Sequence, residues 1–141
     1  MAGMAAHEIS LEPDIAAVPG LMRWFENHCR SEAVEGDVLF KTALALEEAV
    51  VNVIAHAFDG RPPPYLLKVR LDLDPERIGL EILDNGQAFD PLSQSEPDLS
   101  LPAEQRQIGG LGIPLIRRMT DRQFYDRKDD LNRLRLEKLR R

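Results

Sequence analysis

Cysteine is almost missing from this sequence: Cys29 is the only one in 141 residues. A lone thiol closes no internal disulfide, so the chain reads as a protein of a reducing compartment, the cytoplasm. No further Cys and no Asp cluster stands beside Cys29, which reads as a small buried apolar side chain. Basic charge is scarce as well. With 18 Lys and Arg against 24 Asp and Glu, the formal net charge is −6. That balance argues against a general binder of nucleic acid or anionic membrane. No apolar run approaches the roughly 20 residues of a membrane span. The start, Met1 to Ser10, lacks the basic stretch and apolar core of a signal peptide. There is no internal repeat and no zinc-ligand spacing. No strand runs into a glycine loop and a helix with a Lys-Ser or Lys-Thr ending, which argues against a P-loop or a dinucleotide fold.

What is present suits a single folded domain over residues 1–141. The 43% apolar and 30% charged fractions are those of an ordinary globule, and the length allows a real core. Glu8 to Leu11 alternates and suits an edge strand. A first helix is expected from Ile15 to Arg30, with Pro19 near the start of its regular part and Leu21, Trp24, Phe25 and His28 as core. Asp37 is placed to cap a second helix running to about Phe58. The run from Asp59 to Pro64 ends that helix. Tyr65 to Leu73 and Ile78 to Leu83 read as an antiparallel hairpin. Asp84 to Gln107 has no period and is long for a structureless loop, which points to function or mobility. A third helix is expected from Ile113 to Thr120. A closing hairpin pairs Gln123 to Arg127 with Leu131 to Lys138, where Leu134 and Leu136 alternate with Arg133, Arg135 and Glu137. The order predicts an α/β (α+β) two-layer sandwich: a mixed, mostly antiparallel sheet covered on one face by about three helices.

The second helix carries the most informative pattern. Glu48, Asn52 and His56 recur every four residues, and at about 100° per residue they form one stripe. Leu39, Ala43, Leu46, Val50, Val53 and Ala57 fall on the opposite side, a packing face. A solvated face is the plain alternative for such a stripe. Two other pieces weigh against it. Asp84-Asn85-Gly86 directly follows a strand, and a buried Asp there is an acceptor that could read the amino group of a base. Gly109-Gly110-Leu111-Gly112 opens a helix, where close backbone approach, free N–H groups and the dipole suit phosphate. Asn52 offers a neutral oxygen to a magnesium ion already ligated by phosphate and water. Glu48, one turn earlier, could take a proton from an attacking hydroxyl.

At these residues the chain resembles the GHKL (Bergerat-fold) ATPase superfamily. Glu48 to Phe58 is similar to its asparagine box, Asp84 to Asp90 to its first glycine box and Gly109 to Gly112 to its second. Within the superfamily the chain is most similar to the anti-sigma-factor serine/threonine kinases, over most of its length. The resemblance implies a histidine-kinase-like ATPase fold and a site for ATP and Mg²⁺. By that likeness Glu48 is the general base and Asn52 the magnesium ligand. Asp84 recognises adenine, with Gly86 giving it room. Gly109, Gly110, Leu111 and Gly112 surround the phosphates, and residues 87–108 form an ATP lid. His56 matches a position often His in these kinases, with a supporting or packing role. The family's partner-contacting arginine on the first helix has no sure match, although Arg23 lies near it. Arg106 stands a little upstream of the glycines.

The function implied is an ATP-dependent protein serine/threonine kinase. It would phosphorylate a small anti-sigma-factor antagonist and sequester a sigma factor, with no direct nucleic acid or membrane contact and with room for a homodimer. The alternative is a nucleotide-gated binding module with little or no kinase activity. The ATPase part of a histidine kinase fits less well, since no phosphoacceptor helix is recognisable around His7 or His28.

Overall fold

The structure, a computed structural model, describes residues 4–93 and 112–141. Its elements are β1 (Ala5–Ser10), α1 (Val18–Ser31), α2 (Gly36–His56), β2 (Leu67–Leu73), β3 (Arg77–Asp84), α3 (Gly112–Met119), β4 (Arg122–Lys128) and β5 (Leu131–Leu139). The five strands form one sheet in the order β1-β2-β3-β5-β4. Every pairing in it is antiparallel. The parallel pair that a mixed sheet would contain is absent among the described residues.

Alternation decides the two faces of the sheet. Leu67, Val69, Leu71 and Leu73 of β2 are buried, as are Ile78, Leu80 and Ile82 of β3 and Leu134 and Leu136 of β5. They join Leu21, Phe25 and Cys29 of α1, Leu46, Val50 and Val53 of α2 and Ile116 of α3 in one core. The opposite rows carry charge. Glu8, Arg70, Glu81 and Arg135 lie side by side across β1, β2, β3 and β5. Arg135 bonds Asp72 through two nitrogens at 2.9 and 3.2 Å. That pair crosses directly over Gly79, where a Cβ would come within 2.4 Å of Asp72 Oδ1. Carboxylates around Arg135 hold its guanidinium firmly charged, the Asp72 hydrogen bond contributing most.

The sequence-derived boundaries shift for identifiable reasons. Ile15 to Ala17 is a 3-10 turn capped by Asp14, whose side chain accepts from Ala16 N at 2.9 Å. The α-helix begins only at Val18, because Pro19 has no N–H to continue the ladder. Asp37 does not cap α2. Glu35 holds the cap position without a side-chain cap bond, and Asp37 sits in the first turn, paired with Lys41 at 2.9 Å. It still places negative charge at the positive end of the helix. β2 begins at Leu67, since Leu66 donates to the side-chain Oδ1 of Asn85 at 2.8 Å in place of a ladder partner. β1 starts earlier than expected because Ala5 pairs with Leu73. Cys29 is fully buried among apolar groups, and that burial pushes its thiol up to about 12. His28 is half-buried, its ring stacked on His7 with centroids 3.7 Å apart and meeting Trp24 edge-on. Burial holds its pKa below the ordinary histidine value, with His7 adding to the effect.

Candidate functional site

Helix α2 is buried on two sides. One side meets the sheet through Leu46, Val50 and Val53, while Thr42, Ala45, Ala49 and Asn52 are also enclosed. α3 packs against α2. The polar stripe therefore does not simply face water. Asn52 is only 7% exposed, Glu48 is half-buried and His56 is exposed. The gradient follows from position: α2 ends at His56, whose side chain lies at the free end of the helix. His56 meets the ring of Phe89, centroids 5.3 Å apart.

Asn52 is the anomaly. Its side-chain Nδ2 is buried without a hydrogen-bond partner among the described residues. A buried amide left unpaired costs on the order of 1–3 kcal/mol, so such atoms are rare and point to a missing partner. A buried N–H donor calls for an acceptor such as a phosphate oxygen; a magnesium ion would instead take the other end of the amide, Oδ1, and Glu48 one turn away fits a base.

The second wall is built at the end of β3. Asp84 is 2% exposed. Its Oδ1 accepts from Gly86 N at 2.9 Å and from Asn132 Nδ2 at 2.9 Å. Among the described residues no hydrogen bond uses Oδ2. Burial pushes the Asp84 carboxyl above its ordinary value. The bonds from Asn132 and Gly86 and the charge of Arg127 pull the other way. Gly86 is required by packing. A Cβ there would lie 2.3 Å from the carbonyl oxygen of Ala57, just past the end of α2. Next to it, Gln87 N donates to that same Ala57 oxygen at 2.7 Å and Gln87 Nε2 donates to His56 O at 2.8 Å. These bonds dock the Asp84–Gly86 turn onto the helix that carries Glu48 and Asn52. Arg61 and Arg127 both donate to Gly86 O, at 3.3 and 3.1 Å.

The third wall is partly described. Gly112 is the first residue of α3. Gly109, Gly110, Leu111 and Arg106 lie outside the described residues, as does the expected lid after Ser93. Within the expected lid, residues 87–108, Pro91–Ser93 forms a 3-10 turn, and Arg117 of α3 donates to Leu92 O. Arg23 is exposed on α1.

Asn132, Arg127 and Tyr125 were not among the residues singled out from the sequence. A signal existed for the first of them. By strand parity Asn132 shares the side of Leu134 and Leu136, so an amide on the inward face was already written there.

The geometry has counterparts in known proteins. The model of the histidine kinase-like ATPase domain matches residues 11–138. The chain belongs to the histidine kinase-like ATPase domain family. The serine/threonine-protein kinase BtrW of Bordetella bronchiseptica is 29% identical over 136 residues, covering 94% of both proteins. The serine-protein kinase RsbW of Listeria monocytogenes is 30% identical over 89 residues, which is 59% of this chain and 56% of that protein. Among solved structures, the RsbU and RsbW domains of Rv1364c from Mycobacterium tuberculosis match 97% of this chain and 33% of theirs, with a TM-score of 0.69 at 13% identity. The histidine kinase domain of the Erythrobacter litoralis EL346 blue-light activated kinase matches with a TM-score of 0.56 at 12% identity. At those identities the two structures speak for the fold, which is the histidine-kinase-like ATPase fold expected from the three motifs.

Proposed function

We propose that this chain is an ATP-dependent protein serine/threonine kinase, the whole of it one ATPase domain. Its substrate would be a serine or threonine hydroxyl on a small antagonist protein. In its other state it would hold a sigma factor inactive and so regulate transcription in the cytoplasm, as a monomer or homodimer. Support comes from relatives whose names are serine/threonine- and serine-protein kinases. Among the described residues, no helix is long and apolar enough to cross a membrane. The observation that carries the proposal is the buried Nδ2 donor of Asn52, without a partner among the described residues and on one helix face with Glu48, while Gln87 ties the Asp84–Gly86 turn to the end of that helix.

In this reading Asp84 accepts from the amino group of adenine, and Asn52 holds the magnesium ion. Gly109, Gly110, Leu111 and Gly112 line the phosphates, and residues 87–108 close over them. Bound ATP with Mg²⁺ supplies the transferable phosphoryl group and the charge neutralisation that phosphoryl transfer needs. Glu48 takes the proton from the attacking hydroxyl. His56, exposed beside Phe89, supports the turn and takes no proton. Positioning and electrostatics provide most of the rate.

The test is transfer of labelled γ-phosphate from ATP to a small antagonist protein. Glu48→Gln is expected to lower the rate by about 10²- to 10⁴-fold, the usual contribution of a general base, while nucleotide affinity stays within about twofold. Full transfer by that variant removes Glu48 from the role.

A further inference from the structure

Asn132 stands opposite Asp84 in the pairing of β3 with β5. It is 2% exposed and inward-facing. Its amide makes four hydrogen bonds, the most that group can hold. Nδ2 donates to Asp84 Oδ1 at 2.9 Å and to Gln87 O at 2.7 Å. Oδ1 accepts from Arg127 Nη1 at 3.0 Å and from the Tyr125 hydroxyl. Two of these partners fix which way the amide points. Arg127 only donates. Burial pushes the Tyr125 hydroxyl above its ordinary range, so it stays protonated and donates. With both donors on one side, the oxygen of Asn132 must face them and the NH₂ must face Asp84.

We infer that Asn132 is a positioning residue that sets the base selectivity of the site, holding Asp84 as an oriented, ionised acceptor that admits a 6-amino purine and rejects a 6-oxo purine. The inference rests on the nucleotide-site reading above and deepens it. The physical logic is one of acceptors against acceptors. Asp84 Oδ1 is occupied by two donors, Gly86 N and Asn132 Nδ2. The other oxygen then offers lone pairs, which match an amino group and oppose a carbonyl. A buried carboxyl with nothing to hold its charge would take up a proton and could donate to that carbonyl, erasing the distinction. The Asn132 amide opposes this by stabilising the charged form. Arg127 and Tyr125 act one step further out, through Asn132.

The experiment measures binding of ADP and of inosine diphosphate by calorimetry, across pH, for the whole chain and for Asn132→Leu and Tyr125→Phe. Wild type is expected to prefer ADP. Asn132→Leu should lose about 10- to 100-fold in ADP affinity, the scale of a hydrogen bond to a charged group, with a much smaller loss for inosine diphosphate. Its ADP affinity should also fall away at a higher pH than in wild type. Tyr125→Phe should move selectivity the same way by a few-fold, and it decides the question if Asn132→Leu does not fold. Folded variants that keep the wild-type ratio of the two affinities and the wild-type pH profile overturn the inference alone. A wild type that binds neither nucleotide overturns the inference together with the site reading beneath it.

Discussion

Two asparagines are buried in this molecule to nearly the same degree, and they are opposites. Asn132 has every donor and acceptor of its amide engaged. Asn52 has a buried Nδ2 with no partner among the described residues. A satisfied amide is part of the frame, since it rigidifies what it touches and loses stability when removed. An unsatisfied one is a standing cost that persists because something outside the chain relieves it. One residue type thus stands in two situations: the Asn132 amide is fully engaged beside Asp84, and the Asn52 amide has a donor left over among the described residues. Burial alone would have given them the same meaning.

The comparison breaks most visibly on stability. Asn132→Leu leaves the Tyr125 and Arg127 donors and one oxygen of Asp84 short of a partner. It should destabilise the fold by about 2–4 kcal/mol in urea or thermal unfolding, in the range for breaking a buried polar network. Asn52→Ala removes an amide that bonds nothing through its nitrogen, and should change stability by less than about 1 kcal/mol in either direction. If the two substitutions cost the same, the distinction between a bonded and an unbonded amide is wrong.

The next effect belongs to ligand rather than to fold. Asn52→Ala should weaken magnesium-dependent ADP affinity by about tenfold or more, about 1.4 kcal/mol, while binding measured without the metal changes little. An equal loss with and without Mg²⁺ would place Asn52 against the nucleotide instead of the ion.

The smallest effect is one of pH, and it moves stability and affinity in opposite directions. Burial raises the Asp84 carboxyl above its ordinary value of 3.8. The native state therefore takes up this proton at a pH where the unfolded chain does not. Its contribution to stability is present below the ordinary value and is lost as pH rises through the raised one. Adenine needs the ionised form, so affinity is full above the raised value and falls by up to about tenfold per pH unit below it. Calorimetric titrations and denaturant melts over that acidic window should show the two curves crossing. Asp84→Asn should flatten both.

Much of this was legible in the chain. Periodicity gave α2 its two faces, alternation gave both hairpins, and three short motifs gave the family. Asp84 was legible as a turn residue after a buried strand. What local pattern could not supply was pairing between strands far apart in sequence. Asn132 reaches Asp84 across 48 positions only because β5 lies next to β3. Parity said that Asn132 points inward, and nothing local said at what. The evenly spaced stripe misled in a similar way. It showed Glu48, Asn52 and His56 as equals, whereas the end of α2 exposes His56 and the packing of its middle encloses Asn52.

The sequence by itself determined the elements and the sidedness of each, and it named candidate residues for a base, a metal ion and a proton. Those properties are set by spacing along one strand or helix, over a few residues. The tertiary structure alone decided which polar groups are satisfied. A hydrogen bond needs two partners within about 3 Å, and here the partners are delivered by strand register and by the docking of Gly86 on Ala57. That is why the buried amide of Asn132 is fully bonded, while Nδ2 of Asn52 has no partner among the described residues.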